Sequence, residues 1–190
     1  MMYFKLVRDR IPEIIEASGK TCITKILDEK EYLKGLDAKL TEEAIEYHAS
    51  HNIEELADLS EVVRALLIFK NFTISELADL LEAVCTSLVV DNLGALDLAA
   101  THVNSIEGPG LSDKTIGAIT LNSLDNELNI KLAAYYKNHS VEALIDVFKA
   151  IFIVAHALGC APDNLELIRA KKSEERGAFE KRIQLIEVIS

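Results

Sequence analysis

The apolar residues of this chain recur mostly at three- and four-residue steps, which is the spacing of a buried helical face. A short helix is predicted from Pro12 to about Ser18, where Gly19 ends it, and residues 21–27 alternate weakly like an extended segment. Further helices are predicted over residues 29–50 with Asp28 as N-cap, 53–70, from Thr73 or Ser75 to 90, 124–138, 141–158 and from 163 past 172, with the main break at 104–122.

The chain also contains an internal repeat, because sliding it by 88 residues aligns residues 35–70 with residues 123–158 without a gap. Eight of the 36 aligned pairs are identical, more than shared helical periodicity alone would favour. These pairs include Tyr47/Tyr135, His51/His139, Glu54/Glu142 and Asp58/Asp146. Two helix hairpins of this kind predict an all-α fold with a duplicated four-helix core in one chain.

Carboxylates cluster in the first copy of the repeat. Glu43 and Glu46 share one face of a predicted helix, and Glu55 and Asp58 share a face of the next. A hairpin turning near Asn52 would bring these two pairs together, and four close carboxylates repel one another unless a cation lies between them. Oxygen ligands suit Mg²⁺, with Mn²⁺ as an alternative, and polyphosphates commonly accompany such ions. A solvated, charged helix face is the competing interpretation.

The second copy has lost most of these acids. Glu42, Glu43, Glu46 and Glu55 correspond to Ile130, Lys131, Ala134 and Ala143, and Asp146 alone retains the acid of Asp58. The second copy is therefore predicted to hold no metal. In the first copy, Glu42 and Glu61 are the two candidates for a catalytic base that accepts a proton from a metal-bound water, and the sequence does not choose between them.

The composition and net charge narrow the classes of partner that the protein is expected to bind. The chain has 190 residues, 49% of them apolar, and a net charge of −11, which disfavours nucleic acid and anionic membranes as partners. Cys22, Cys85 and Cys160 lie far apart without a C-x-x-C spacing, as expected for reduced, buried thiols of a cytoplasmic protein. The charged amino-terminal segment argues against a signal peptide, and no apolar run of about 18 residues predicts a membrane span.

Basic residues gather near the carboxyl end. Arg169, Lys172 and Arg176 are three and four residues apart, so they share a helical face and could bind the phosphates of a substrate. The competing interpretation is a solvated face paired with neighbouring glutamates. At the other end, Arg8 and its charged neighbours Lys5 and Asp9 form either an ion-paired brace or a part of the site.

Three blocks together resemble a known family. They are K-L-V-R-D-R-I-P-E-I-I at 5–15, E-E-A-I-E with E-L-A-D-L-S-E-V at 42–62, and I-R-A-K-K-S-E-E-R-G-A-F-E-K-R-I at 168–183. They resemble the all-α nucleoside triphosphate pyrophosphohydrolases, the MazG-type and phosphoribosyl-ATP-pyrophosphohydrolase-like superfamily. The resemblance implies a helical bundle, assembled as a dimer or larger, that uses Mg²⁺ to cleave nucleotides between the α- and β-phosphates in nucleotide house-cleaning. By this match Glu43, Glu46, Glu55 and Asp58 correspond to metal ligands, and Lys172 and Arg176 to basic positions.

The chain departs from that family in length. Such proteins usually run about half as long, with the basic block soon after the acidic block, whereas here about a hundred residues intervene. We therefore expect one MazG-like domain made by a fused duplication, with acids from residues 1–88 and cations from residues 89–190. The alternatives are a degenerate, non-catalytic nucleotide-binding protein and a helical oligomerisation module.

Overall fold

The structure, a computed structural model, describes residues 2–90 and 113–189, which form seven helices and three strands. The helices are α1 (Ile11–Ala17), α2 (Glu29–Ser50), α3 (Ile53–Phe69), α4 (Ile74–Val90), α5 (Asp113–Asn138), α6 (Val141–Ala157) and α7 (Pro162–Arg176). The strands are β1 (Met2–Leu6), β2 (Thr21–Ile26) and β3 (Ile183–Ile189). The all-α prediction is confirmed in its coarser form, a mostly helical chain, and the small sheet is an addition to it.

Local sequence signals account for the ends of the first helices. Pro12 lies in the first turn of α1, and Gly19 follows the helix with a φ of +82°, a conformation that favours glycine. The carboxylate of Asp28 accepts a hydrogen bond from the backbone N–H of Glu31 (2.8 Å), and the Glu31 carboxylate accepts one from the N–H of Asp28 (3.3 Å). This reciprocal capping box starts α2 where the sequence predicts it.

The predicted break at 104–122 is wrong for residues 113–122, because α5 begins at Asp113; residues 104–112 lie outside the described part of the chain. Gly117 lies within this stretch, and a glycine inside a helix costs about 1 kcal/mol relative to alanine. A helix of 26 residues that packs along α6 can absorb a cost of this size. Tertiary packing therefore overrides the local preference.

The sheet joins segments that are far apart in sequence. Its order is β1-β3-β2, and both outer strands run antiparallel to the central β3. Just after β1, the Asp9 carboxylate accepts hydrogen bonds from the backbone N–H groups of Glu180 (3.1 Å) and Lys181 (2.9 Å). A Cβ on Gly177 would lie 2.8 Å from the Asp9 Cβ, so this close approach requires glycine. The amino-terminal segment and the chain after α7 are thus fastened together.

The chain forms two compact units: the first unit is Met1–Phe72 with Asn164–Ser190, and the second unit is Thr73–Asp163. These units divide the chain at points other than residue 88, where the repeat divides it. In the first unit, five apolar residues of α3, spaced mostly three and four positions apart, are fully buried, as expected for the inner face of a helix. They are Leu56, Leu59, Val63, Leu66 and Leu67.

The second unit contains the α5–α6 hairpin, with α4 packed on α6. Large residues of α6, among them Phe148, Ile151 and Phe152, are fully buried. Across the described parts of the chain, no single helix is long and apolar enough to cross a membrane; α6 and α7 meet that test of length and composition only as a bent pair. None of the three cysteines is in a disulfide, and all three are half-buried, not buried as expected.

Candidate functional site

The hairpin of α2 and α3 brings acidic residues together. After α2, the backbone N–H of His51 donates to the Tyr47 carbonyl, and the Asn52 side chain caps α3 by accepting from the N–H of Glu54 (3.0 Å). This tight turn packs the two helices side by side. As a result, Glu43 from α2 and Glu55 and Asp58 from α3 each offer a carboxylate oxygen, and these oxygens all lie within 4.8 Å of one another. We call these three residues the carboxylate cluster.

Glu46, the fourth predicted ligand, is not in this cluster. It lies one turn beyond Glu43 with an exposed side chain. Its charge nevertheless acts on the cluster, because it contributes to the raised pKa values of Glu43 and Glu55. The structure therefore brings three of the four predicted ligands together and leaves the fourth nearby.

Burial and mutual repulsion make the carboxylate cluster electrostatically costly. Glu43 is only 3% exposed, and burial, together with the charges of Asp58 and Glu46, raises its pKa although Lys39 forms an ion pair with it. Burial also raises the pKa of Glu55, and the charge of Asp58 adds to that effect. A bound cation would offset both the cost of burial and the repulsion between the carboxylates, since it favours their ionised form.

Asp58 is held by two cations from distant parts of the chain. Its Oδ1 accepts a hydrogen bond from Arg8 (2.5 Å), and its Oδ2 accepts one from Lys172 on α7 (2.8 Å). Lys172 also donates to the backbone carbonyl of Glu54 at 2.9 Å, and it is only 8% exposed. The opening, the acidic block and the basic ending of the sequence therefore meet at one aspartate.

The sequence left two roles open for Arg8, an ion-paired brace or a residue of the site. In the structure it both braces the chain ends and contacts Asp58. Its guanidinium donates to the carbonyl of Gly177 (3.2 Å), lies over the Phe179 ring and lies 3.9 Å from the Glu61 carboxylate. It is buried, with 7% exposure. Its neighbours act as a brace: Lys5 pairs with Glu42, and Asp9 binds the backbone after α7. The charged pattern of the opening was the only sequence signal for this role.

The two predicted catalytic bases lie in ion pairs outside the carboxylate cluster. Glu42 pairs with Lys5 (2.9 Å) and Lys39 (3.5 Å); burial alone would raise its pKa, but these two lysines lower it. Glu61 is buried and pairs with Arg169 and, more distantly, with Arg8. A catalytic role for either glutamate remains a prediction.

The predicted phosphate-binding residues differ in their surroundings. Arg169 donates to both oxygens of Glu166 (2.9 and 2.6 Å) and also to Glu61; burial would lower its pKa, but these bonds raise it. Its guanidinium is thus occupied by protein carboxylates. Arg176 has an exposed side chain at the end of α7, with no ion pair among the described residues. Lys172 is the basic residue of the three that reaches the carboxylate cluster.

In the α5–α6 hairpin, the positions equivalent to the carboxylate cluster hold a lysine, an alanine and one retained aspartate. Lys131, which replaces Glu43, lies 3.7 Å from the Asp146 carboxylate and 3.1 Å from that of Glu127. Ala143, which replaces Glu55, is nearly buried. The ammonium of Lys131 thus compensates Asp146 directly, and the absence of a metal from this copy stays a prediction.

The comparisons with known proteins are sparse. No protein-family model matches the chain, and no solved structure matches it. A segment of 46 residues, 24% of this chain, is 54% identical to an uncharacterized protein of Mycolicibacterium smegmatis (strain ATCC 700084 / mc(2)155) and covers 47% of that protein. The chain therefore spans about half the length of the relative that it matches, and that relative is itself about half as long as this chain.

Proposed function

We propose that this protein is a Mg²⁺-dependent nucleoside triphosphate pyrophosphohydrolase of the all-α, MazG-like type, which cleaves the bond between the α- and β-phosphates. The products are a nucleoside monophosphate and pyrophosphate. The observation that carries this proposal is the convergence of Glu43, Glu55 and Asp58 across one helix hairpin, with Lys172 beside them. Such a site supplies anionic ligands for the ion and a cation for the phosphates.

The donor set fits Mg²⁺ or Mn²⁺. Three carboxylate oxygens within 4.8 Å of one another can share one octahedral ion, in which opposite ligands are about 4.2 Å apart. Hard oxygen donors favour these ions over softer metals. When bound, the ion would neutralise phosphate charge and lower the pKa of a coordinated water. Glu46 lies one turn from Glu43, and its charge acts on Glu43 and Glu55, so it adds to the negative potential that would attract the ion.

The remaining residues have roles that follow from their charge and place. Lys172 would bind the departing pyrophosphate, and Arg176, exposed at the end of α7, would extend that contact along the polyphosphate. Arg8 orients Asp58. The acids of residues 1–72 and the cations of residues 164–190 belong to one compact unit, which supports a composite site built from both ends of the chain.

Pyrophosphate release across a panel of nucleoside triphosphates tests this proposal. We expect release that requires Mg²⁺, stops with EDTA and is lost in Glu55→Gln, because the variant removes one charged ligand. Glu142→Gln, an exposed glutamate at the start of α6, is the matched control and should keep full activity. If the wild type releases no pyrophosphate from any nucleotide, the enzymatic proposal is wrong.

A second function, non-catalytic nucleotide binding, is favoured by one observation. Asp58 and Glu61 are already compensated by protein cations, which are Arg8, Lys172 and Arg169. A site balanced in this way could retain affinity for a nucleotide without catalysis. Calorimetric binding of a triphosphate by a wild type that releases no pyrophosphate would identify this function.

A further inference from the structure

The two oxygens of Asp58 are occupied by two cations that are held very differently. Arg8 is fixed by its contacts with Gly177 and Phe179 in addition to Asp58. Lys172 is held by one further residue, Glu54, through its carbonyl (2.9 Å) and its carboxylate (3.4 Å), and that glutamate side chain is 62% exposed. An ammonium on a flexible stem also exchanges partners more readily than a planar guanidinium. Lys172 is therefore the replaceable cation at Asp58.

We propose that Lys172 competes with the divalent cation for Asp58, and that it exchanges this carboxylate for a substrate phosphate when the cation binds. The inference rests on the proposed function and adds to it an exchange that couples the two ligands. A divalent ion that takes Oδ2 of Asp58 as a ligand would lie next to an ammonium now 2.8 Å from the same oxygen. The ion and the ammonium would then lie against the same oxygen and repel each other, so binding of the ion displaces the lysine.

The displaced ammonium needs a new acceptor. Lys172 is 8% exposed, and a buried ammonium that gives up Asp58 and keeps only its contacts with Glu54 is poorly compensated. A polyphosphate bound beside the carboxylate cluster supplies such an acceptor. Ion and polyphosphate then favour each other's binding through this lysine, in addition to any direct contact between them, and the coupling is reciprocal.

The second hairpin independently supports the idea that a lysine can take the place of a metal ion beside this aspartate. There, Lys131 lies 3.7 Å from Asp146, the equivalent of Asp58, and balances its charge without the other acids. An ammonium is thus able to neutralise the aspartate at this position of the hairpin. In the first hairpin the ammonium comes from α7 and is not part of the hairpin itself, so it can be exchanged.

Titration calorimetry with Mn²⁺ alone tests the competition. We expect Lys172→Met to bind Mn²⁺ about tenfold more tightly than the wild type, since about 1.4 kcal/mol of repulsion corresponds to that factor. Lys171→Met is the matched control: it removes the same charge from an exposed neighbour and should leave the affinity unchanged. A non-hydrolysable triphosphate should strengthen Mn²⁺ binding more in the wild type than in Lys172→Met. Equal or weaker Mn²⁺ binding by Lys172→Met would overturn the inference.

A measurement on the wild type avoids any dependence on how the variant folds. Mass spectrometry after brief labelling with an amine reagent should show that Mn²⁺ increases labelling of Lys172 and leaves Lys171 unchanged; unchanged labelling of Lys172 by an ion that binds would contradict the exchange. If the wild type binds Mn²⁺ and Lys172→Met binds it no better, only this inference fails. If neither protein binds Mn²⁺, the proposed metal site fails as well.

Discussion

The α2–α3 and α5–α6 hairpins have the same turn and opposite chemistry. In each, the last helical residue is followed by a histidine with a φ of +50°, whose N–H donates to the carbonyl of a fully buried tyrosine four residues earlier (2.6 Å). A polar N-cap then starts a second helix of 17 residues. The equivalent residues are Tyr47 and Tyr135, His51 and His139, and Asn52 and Ser140. Turn and apolar packing are thus sufficient to define the hairpin.

The charges on the two hairpins differ. In α2, Lys39 pairs with Glu43 four residues later, whereas the equivalent pair in α5 is Glu127 with Lys131, with the signs exchanged. As a result, Glu43 joins Glu55 and Asp58 as a like charge in the first hairpin, whereas Lys131 and Asp146 form an ion pair in the second. Since the second hairpin forms without these acids, the acids of the first are not required for the fold. Their convergence therefore supports the proposal that they bind a ligand.

Asp58 and Asp146 are equivalent residues, so the same substitution in each gives the sharpest comparison. We expect Asp58→Asn to lower pyrophosphate release about 1,000-fold, the scale of losing a principal charged group of an active site. Asp146→Asn should change it less than about twofold, because Asp146 is an exposed partner of Lys131. Steady-state kinetics on both variants checks this, and equal losses in the two would refute the division of roles.

Removing the compensating cation of each hairpin should affect stability unequally. Arg8→Met leaves Asp58 and Glu61 short of a buried cation and should lower the free energy of unfolding by about 3 kcal/mol. Lys131→Met breaks a largely exposed pair and should cost about 0.5 kcal/mol. Urea denaturation of the two variants measures the difference. A cost for Arg8→Met no greater than that of Lys131→Met would argue that Arg8 is dispensable.

Lowering the pH should weaken cation binding to the first hairpin. The pKa values of Glu43 and Glu55 are raised, and an ion binds the deprotonated carboxylates, so protons compete with it at a higher pH than for ordinary glutamates. We expect the Mn²⁺ affinity to fall as the pH is lowered from neutral, and to begin falling at a higher pH than unperturbed glutamates would dictate. Calorimetry at a series of pH values below neutral tests this. An affinity independent of pH would place the ion on other ligands.

The smallest effect is expected from restoring an acid to the second hairpin. Lys131→Glu places a carboxylate beside Asp146 and Glu127, and this repulsion should lower stability by about 1 kcal/mol. Mn²⁺ should recover part of that loss, whereas it should not stabilise a Lys131→Gln control through this hairpin. Thermal melts with and without Mn²⁺ measure the recovery, expected at about 2–4 °C. If Mn²⁺ shifts the melting temperatures of the two variants equally, a third carboxylate in this hairpin is not sufficient to bind the ion.

Local signals predicted much of the helical fold. Pro12, Gly19 and Asp28 set the ends of α1 and α2 by their own backbone chemistry, which a reader of the sequence can recognise. The helix start at Asp113 was missed because Gly117 favours a loop locally. Strands β1 and β3 were not predicted, since Lys5 pairs with Leu185 across nearly the whole chain and no local pattern reports such a pairing.

The site was predicted in part for the same reason. Helical spacing and the hairpin turn are local, so Glu43, Glu55 and Asp58 could be expected to meet. Asp58 is bound by Arg8, 50 residues before it, and by Lys172, 114 residues after it. Local spacing does not encode contacts over such separations. Likewise, nothing in the spacing of Arg169 indicated that Glu61, 108 residues earlier, would bind its guanidinium, whereas Glu166, three residues before it, is at a helical pairing distance.

The discontinuous first unit has a consequence for synthesis on the ribosome. Residues Met1–Phe72 lack α7 and β3 until Asn164–Ser190 have been translated, and the intervening 73–163 segment takes about 5–20 s at ordinary elongation rates. During this interval the nascent α2–α3 hairpin carries its acids without Lys172 or Arg169. The ion pairs of Asp58 with Lys172 and of Glu61 with Arg169 therefore form late in translation, after the second unit has had time to fold.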